Sequence, residues 1–241
     1  MKMNYVILLL TMILTIITPL TAGLFGPSTI DIDLTESNHV YLTGTIGESE
    51  TDEAIEQIML KADKVETLYL VIKSPGGYIY AGERFIDTVS QYKNIKTVTI
   101  FAASMADNIV QSLPGERLIL KSGALMAHRA AGGFQGQFND GEVESQLAFW
   151  KTIVTGMEER ASSRIGISLK EYKANVVNEW WSYGAQAIKE NRADNFATLK
   201  CSQELIDKKI IISKNVGSFI PVIKNFEKSA CPLLEKMVEV K

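Results

Sequence analysis

The feature that most constrains the fold is an alternation of short β-rich runs with segments of helical periodicity. Two of the runs, Thr67–Ile72 and Thr97–Phe101, are nearly continuous in apolar and β-branched residues, which is typical of strands buried on both faces. Strand, helix and strand at this spacing predict right-handed βαβ units. The predicted strands cover residues 39–46, 67–72, 97–101 and 117–120, and the predicted helices cover 51–62, 81–92 and 102 to about 112.

The second half of the chain predicts helices and one glycine-rich loop. Apolar residues recur along one stripe from Glu142 to Ile165, which indicates a single long helix. Ser168 begins a shorter helix as its N-cap, with Glu171 three residues later as in a capping box. Gly132–Gln137 is too rich in glycine for a helix and suits an extended loop.

These elements divide the chain into four parts. Residues 38–195 form an α/β domain, preceded by a linker over 26–37 and by an apolar segment over 1–25. Residues 196–241 are a C-terminal extension, mixed in composition, to which the sequence assigns no role.

Composition excludes two classes of function. The 28 acidic and 25 basic residues give a net charge of −3 with no basic block, so nothing indicates a nucleic-acid partner. Neither cysteine has a second cysteine or a histidine at metal-ligand spacing, so no metal site and no cofactor are expected.

The N-terminus predicts export or membrane anchoring. Lys2 precedes an uncharged stretch, Met3–Ile30, whose apolar core is followed by Pro19 and by small residues at 21–23. This order is typical of a cleaved signal peptide. Read through Phe25, the same stretch reaches about 20 residues, the length of a membrane span. Both a signal peptide and an anchor contacting the membrane through residues 5–25 stay open, and a buried helix is a third alternative.

The two cysteines, Cys201 and Cys231, would pair in an exported protein and tie down the C-terminal extension. Spacing alone does not determine connectivity, so two free thiols are the alternative.

Ser104 is the candidate nucleophile. It lies where a buried strand meets a helix, among small neighbours within Ala102–Ala106. The free N–H groups and positive dipole end of a helix N-terminus favour the negative charge that develops in acyl transfer. An N-cap serine is the competing interpretation of the same position.

His128 is the candidate base, because the other histidine, His39, starts a strand beside polar residues. Ser104 and His128 both follow predicted strands, and the carboxyl ends of parallel strands share one edge of a sheet. A buried, hydrogen-bonded histidine is the structural alternative.

Ser74–Gly77 ends a third strand at the same edge. Glycines leave the backbone N–H groups of Gly76 and Gly77 bare, so that a substrate can approach them closely. The N–H groups of Gly77 and Met105 would form an oxyanion hole. A plain tight turn is the alternative.

Four segments together resemble the Clp protease proteolytic subunit in order and spacing: Leu70–Gly82, Ala102–Ala106, Leu125–His128 and Gly132–Gln137. The resemblance runs from about Val40 to Asp194. It implies a ClpP/crotonase-like α/β fold, a serine peptidase, and homo-oligomeric rings that enclose the active sites and act on peptides or unfolded proteins.

The resemblance also implies roles for individual residues. Ser104 would be the nucleophile, His128 the base, and the N–H groups of Gly77 and Met105 the oxyanion hole. The segment that contains Gly132, Gly133, Phe134 and Gln135 would line the substrate groove.

Three departures accompany this resemblance. The third triad member of the family is an aspartate, whereas an ungapped match places Glu179 there, with Asn178 as a substitute. Ala106 stands where the family has a glycine, and Asp107 after it brings a charge close to the start of the helix that follows Ser104. The apolar N-terminus is foreign to the cytosolic family, so no ATPase partner is implied.

Three other functions stay open. A signal-peptide-peptidase-like hydrolase would use a Ser–Lys pair, for which Lys73 and Lys121 are available. A catalytically inactive scaffold would explain Glu179 in place of an aspartate. A CoA-thioester enzyme lacks a basic patch for the CoA phosphates.

Overall fold

The computed structural model describes residues 27–132, 137, 139–216 and 221–240. The predicted signal peptide or anchor over residues 1–25 lies outside them, as do Gly133, Phe134 and Gln135 of the predicted groove.

The elements alternate in the order that the sequence predicts for the central part of the chain. In chain order they are β1 (Thr29–Leu34), β2 (His39–Ile46), α1 (Glu48–Lys61), β3 (Leu68–Gly77), α2 (Ile79–Val89), β4 (Ile95–Ala103), α3 (Met105–Ser112), β5 (Arg117–Ala127), α4 (Asp140–Ile165), α5 (Leu169–Asn175), β6 (Trp180–Tyr183), α6 (Ala185–Lys189), β7 (Asn195–Cys201), α7 (Gln203–Asp207), β8 (Lys209–Asn215), β9 (Ile223–Ser229) and β10 (Met237–Val240).

In the described part of the chain the main sheet has seven strands. Six of them run parallel in the order β1-β7-β5-β4-β3-β2, and β6 pairs antiparallel with the C-terminal part of β5. Helices pack on this sheet, and α4 is long, at 26 residues. The predicted α/β class with a mostly parallel sheet is therefore confirmed.

The central strands are buried on both faces, as continuous apolar runs require. Leu70 and Ile72 of β3 pack with residues of α1, α2 and α3. Val71, between them, faces the other way and packs with Val98 and Leu118. All three β3 side chains are fully buried, which makes β3 the centre of the core.

The N-cap predicted at Ser168 is observed, and the long helix has a cap that was not predicted. Ser168 Oγ accepts the Glu171 N–H at 3.2 Å and starts α5. The long helix begins two residues earlier than predicted, because Asn139 and Glu142 form a reciprocal capping box.

The boundaries of the domain differ from the prediction at both ends. The segment assigned to a linker contains β1, which pairs with β7, and β7 itself crosses the predicted boundary at residue 195. In β1 the aspartates Asp31 and Asp33 are exposed, while Ile32 and Leu34 are buried. This alternation of exposed and buried residues is typical of a strand, but the two aspartates made the segment resemble a polar linker.

The C-terminal extension covers the second face of the main sheet. Leu205 of α7 and Cys231 lie in the cluster that contains Val71 and Val98. Cys231 is joined to Cys201 by a disulfide, with their Cα atoms 5.9 Å apart. Within the described residues, β8, β9 and β10 form a separate antiparallel sheet of three strands.

None of the helices within the described ranges combines the length and the apolar character needed to cross a bilayer.

Candidate active site

Three neighbouring parallel strands end at one edge of the main sheet. They are β3, β4 and β5, and their last residues are Gly77, Ala103 and Ala127. Ser104 directly follows β4, and His128 directly follows β5. Parallel pairing therefore places the Ser104 hydroxyl, the His128 imidazole and the glycine N–H groups at the same edge.

Ser104 has an unusual backbone conformation, with φ 57° and ψ −122°. Residues other than glycine rarely adopt such angles, and they persist where the surrounding structure enforces them. Here the Ser104 N–H donates to the carbonyl of Met126 at 2.7 Å. The sharp turn from β4 into α3 presents the serine side chain outward, as in a nucleophile elbow.

The Ser104 side chain does not cap α3. Its Oγ lies 2.7 Å from His128 Nε2, a hydrogen-bond distance. With Nε2 unprotonated, the hydroxyl donates to the imidazole, which is the arrangement that activates a serine. The competing interpretation of Ser104 as a side-chain N-cap is therefore not what the structure shows.

The predicted oxyanion donors flank this pair. Gly76 has φ 92°, and a Cβ there would lie 2.7 Å from Ser104 Cβ and 2.8 Å from the Met105 nitrogen. The turn at the end of β3 therefore lies directly against the turn at Ser104, and only a glycine at position 76 leaves room for that contact. Met105 is the first residue of α3, where a backbone N–H has no intrahelical acceptor.

A second contact holds the glycine turn in place. Ser74 Oγ accepts the Gly76 N–H at 3.1 Å and donates to the Gly44 carbonyl at 2.6 Å. Ser74 is completely buried, so this small network is shielded from water.

A cavity of about 260 Å³ opens beside the Ser104–His128 pair. It is bounded by the three strand ends, by one face of α4 and by α5. Its lining residues are Gly77, Ile79, Ser104, Met105, Asn108, Ala127, His128, Ala130, Ala131, Val154, Met157, Glu158 and Tyr172. Both predicted oxyanion residues thus face the same space as the nucleophile and the base.

Glu179 lies close to His128 along the backbone but is bonded elsewhere. The β5–β6 ladder ends with Ala127 paired to Trp180, and His128 and Glu179 are the next residues along the two strands. The Glu179 carboxylate instead accepts the Trp181 indole N–H at 2.9 Å. No described residue, Asn178 included, hydrogen bonds to His128 Nδ1. The predicted role of Glu179 as third triad member stays a prediction.

The predicted groove residues lie partly within the described chain. Gly76 is at the site, and Gly132 packs against the Trp150 ring, whose Cη2 would be 2.8 Å from a Cβ at that position. The other three predicted groove residues lie outside the described ranges.

The lysines considered for a Ser–Lys pair are directed elsewhere. Lys73 forms an ion pair with Glu235, and Lys121 is exposed. Neither belongs to the cavity lining. The geometry around Ser104 therefore favours an imidazole base over an amine.

The unexpected acid after Ser104 has a structural partner. Asp107 is buried, and its Oδ2 lies 3.0 Å from Nη2 of Arg192, although the angle is not that of a hydrogen bond. Arg192 Nη1 also donates to the Trp180 carbonyl at 2.8 Å and to Ser182 Oγ at 2.6 Å. The sequence indicated the charge at 107 but gave no sign of its partner 85 positions away.

Sequence reasoning missed the outer wall of the cavity. Val154 and Met157 were identified only as members of the apolar stripe of α4, and Glu158 and Tyr172 were not singled out. The spacing of 154, 157 and 158 places these residues on one helix face, but only the packing of α4 shows what that face meets.

The comparisons with known proteins agree with this geometry. Residues 28–197 match the Clp protease family. Curated relatives called ATP-dependent Clp protease proteolytic subunit, from Borreliella afzelii and Borrelia garinii, are each 29% identical over 163 residues. A relative called subunit 1, from Borreliella burgdorferi, is 28% identical. The matched region is 65% of this chain and 81–82% of each relative. The chain belongs to the Clp protease family.

Proposed function

We propose that this protein is a serine endopeptidase in which Ser104 attacks the peptide bond and His128 is the general base. The observation that carries the proposal is the 2.7 Å contact between Ser104 Oγ and His128 Nε2 at the edge of a cavity. Membership of the Clp protease family supports peptide-bond hydrolysis as the reaction.

The geometry suits a two-step acyl transfer. Ser104 Oγ bonds to the carbonyl carbon while its proton moves to His128 Nε2. The negative oxygen of the tetrahedral intermediate is stabilised by the N–H groups of Gly77 and Met105. His128 then gives the proton to the departing amine, which leaves an acyl ester on Ser104. A water molecule, deprotonated by His128, hydrolyses that ester and restores the hydroxyl.

Glu179 would complete the triad only after its carboxylate leaves Trp181. Glu179 is exposed and adjoins Trp180, the residue paired with Ala127, so we expect a side-chain rotation rather than a refolding to bring it to His128. A carboxylate on Nδ1 would orient the imidazole and stabilise the imidazolium. Replacing Glu179 with Gln should therefore lower the acylation rate while leaving the melting temperature unchanged. An unaltered rate would remove Glu179 from the triad.

A fluorophosphonate probe tests the nucleophile. The purified protein should be labelled at Ser104, and the variants Ser104→Ala and His128→Ala should not be labelled. The variants Lys73→Ala and Lys121→Ala are the controls, and both should retain labelling. Labelling that survives the loss of Ser104 would overturn the proposal. Labelling that depends on a lysine instead of His128 would support the Ser–Lys alternative, and no labelling at all would support the inactive scaffold.

We also propose that the protein works as a homo-oligomeric ring, exported or anchored at a membrane. Family membership supports the ring, and the apolar stretch within Met3–Ile30 supports export. Light scattering of the purified protein measures the assembly, and a monomer would contradict it. N-terminal sequencing of the mature chain distinguishes cleavage from anchoring, and an intact N-terminus in a soluble fraction would contradict both.

A further inference from the structure

The outer part of the cavity combines an apolar wall with an acidic group. Val154 and Met157 of α4 lie one turn apart, and Ile79 of α2 also lines the cavity. Glu158, next to Met157 on the same helix, is part of the lining as well. No Lys, Arg or Asp occurs among the described residues that line the cavity, and Glu158 is the one carboxylate among them.

The ion-pair partner of Glu158 approaches from outside the cavity. The Glu158 side chain is 14% exposed, and Lys173 Nζ lies 3.3 Å from its Oε2. The Lys173 side chain is 46% exposed and approaches from α5, outside the cavity lining. A cation inside the cavity would therefore compete with Lys173 for the same carboxylate.

Tyr172 is a second polar group that faces this space without a partner. Its side chain is buried at 6% exposure, and no described residue hydrogen bonds to its hydroxyl. Burial, with the charges of Asp107 and Glu158, raises the pKa of Tyr172 far above its usual range, so the hydroxyl stays protonated. The hydroxyl oxygen itself is accessible rather than buried, so it is free to hydrogen bond to a ligand in the cavity.

We propose that Glu158 and the Tyr172 hydroxyl select substrates with lysine or arginine at the position before the scissile bond. The aliphatic stem of such a side chain would lie along the apolar wall, and its cationic end would reach Glu158. The volume of about 260 Å³ is that of roughly nine water molecules at about 30 Å³ each, which accommodates a long side chain. This inference rests on the proposed function, because it assumes that Ser104 is acylated from this side.

Two peptidyl diphenyl phosphonates that differ only at this position test the proposal. One carries lysine, and the other carries norleucine, which keeps the stem and lacks the ammonium group. The measurement is the second-order rate constant for modification of Ser104. The lysine compound should react roughly tenfold faster, since a hydrogen bond to a charged group is worth about that factor or more.

Variants on α4 and α5 identify the selecting group. Glu158→Gln should bring the ratio of the two rate constants close to one while the norleucine compound reacts as before. Glu159→Gln, an exposed neighbour outside the cavity, is the matched control and should keep the wild-type ratio. Lys173→Met should raise the ratio, because it removes the cation that competes for Glu158.

The outcomes separate this inference from the proposed function. Suppose that a simple fluorophosphonate labels Ser104 but the norleucine compound reacts as fast as the lysine compound or faster. That result would overturn the selection of a cationic side chain and would leave the proposed function standing. A lysine preference that persists in Glu158→Gln would overturn the assignment of that selection to Glu158. If that variant fails to fold, an unchanged ratio in Lys173→Met overturns the inference. Absence of Ser104 labelling by any probe would overturn the proposed function as well.

Discussion

At the scale of single residues, the site depends on how closely the glycine turn approaches the serine turn. A Cβ at Gly76 would lie 2.5 Å from the Ala103 carbonyl oxygen, 2.7 Å from Ser104 Cβ and 2.8 Å from the Met105 nitrogen. Two of these atoms belong to the backbone and cannot move without shifting Ser104. The positive φ of Gly76 adds strain for any other residue.

Gly76→Ala should therefore reduce the labelling of Ser104 by roughly 100-fold, since displacement of reacting groups by about 1 Å costs that much. Gly156→Ala is the matched control, because a Cβ at this position in α4 meets no atom within 4 Å. The control should label normally and should be neutral or slightly more stable, because alanine favours a helix over glycine by about 1 kcal/mol. Normal labelling of Gly76→Ala would show that the turn is not held as tightly as described.

The burial of His39 leads to a prediction of how the folding stability of the protein depends on pH. It is buried at 6% exposure beside the Thr35 carbonyl, and burial lowers its pKa below the ordinary 6.5. The unfolded chain then binds a proton at a higher pH than the folded protein does. Stability should fall as the pH drops through 6.5 and should level off below the folded pKa.

Melting temperatures of the wild type and His39→Gln, measured from pH 8 to pH 5, check this prediction. The variant should lose less stability over that interval than the wild type, whatever its stability at pH 8. Parallel curves for the two proteins would contradict it.

At the scale of elements, a buried ion pair ties α3 to the segment after α6. Arg192 is completely buried, its guanidinium lies 4.4 Å from the centre of the Trp180 ring, and Asp107 supplies the opposing charge. The pair fixes α3, the helix that follows Ser104, against the strand that carries Trp180. A buried charge without its partner is strongly unfavourable.

Asp107→Asn should destabilise the protein by about 3 kcal/mol, because it leaves the Arg192 charge uncompensated. Thermal or chemical denaturation measures the change. Asp87→Asn, an exposed position on α2, should change stability by less than about 0.5 kcal/mol. Adding Arg192→Met to Asp107→Asn should recover part of the loss, and a further loss of similar size would contradict this account.

At the scale of the whole molecule, the C-terminal extension completes the core. The face of the sheet opposite α1, α2 and α3 is apolar at Val71, Val98 and Leu118, and α7 together with Cys231 covers it. The disulfide between Cys201 and Cys231 spans 30 positions and attaches this cover to the end of β7. The extension is therefore part of the folded unit.

Replacing Cys201 and Cys231 together with serine should cost about 3 kcal/mol of stability, since a disulfide that closes a loop of this length stabilises by about that amount. Melting with and without a reductant measures the effect: the wild type should melt lower in the reductant, and the double variant should not respond. A wild type that is insensitive to the reductant would contradict the prediction.

The sequence by itself determined the parallel sheet and the residues at its edge. Continuous apolar runs have no polar face to leave in water, and a strand that turns sharply into a helix exposes the residue at the turn. Both signals are local, so the residues around Ser104, His128 and Gly77 predicted their position at this edge, while the roles proposed for them depended also on the family resemblance. The strand character of β1 was equally local, but Asp31 and Asp33 obscured it.

Only the tertiary structure decided which residues from distant parts of the chain lie around the site. Arg192 as partner of Asp107, Trp181 as partner of Glu179, and Glu158 with Tyr172 in the cavity wall all depend on how α4, α5 and β6 pack. Long-range side-chain contacts leave no periodic signal, because many packings satisfy the same hydrophobic pattern. The position of the candidate site was therefore predictable along the chain, whereas the outer wall of its cavity depends on packing between distant segments.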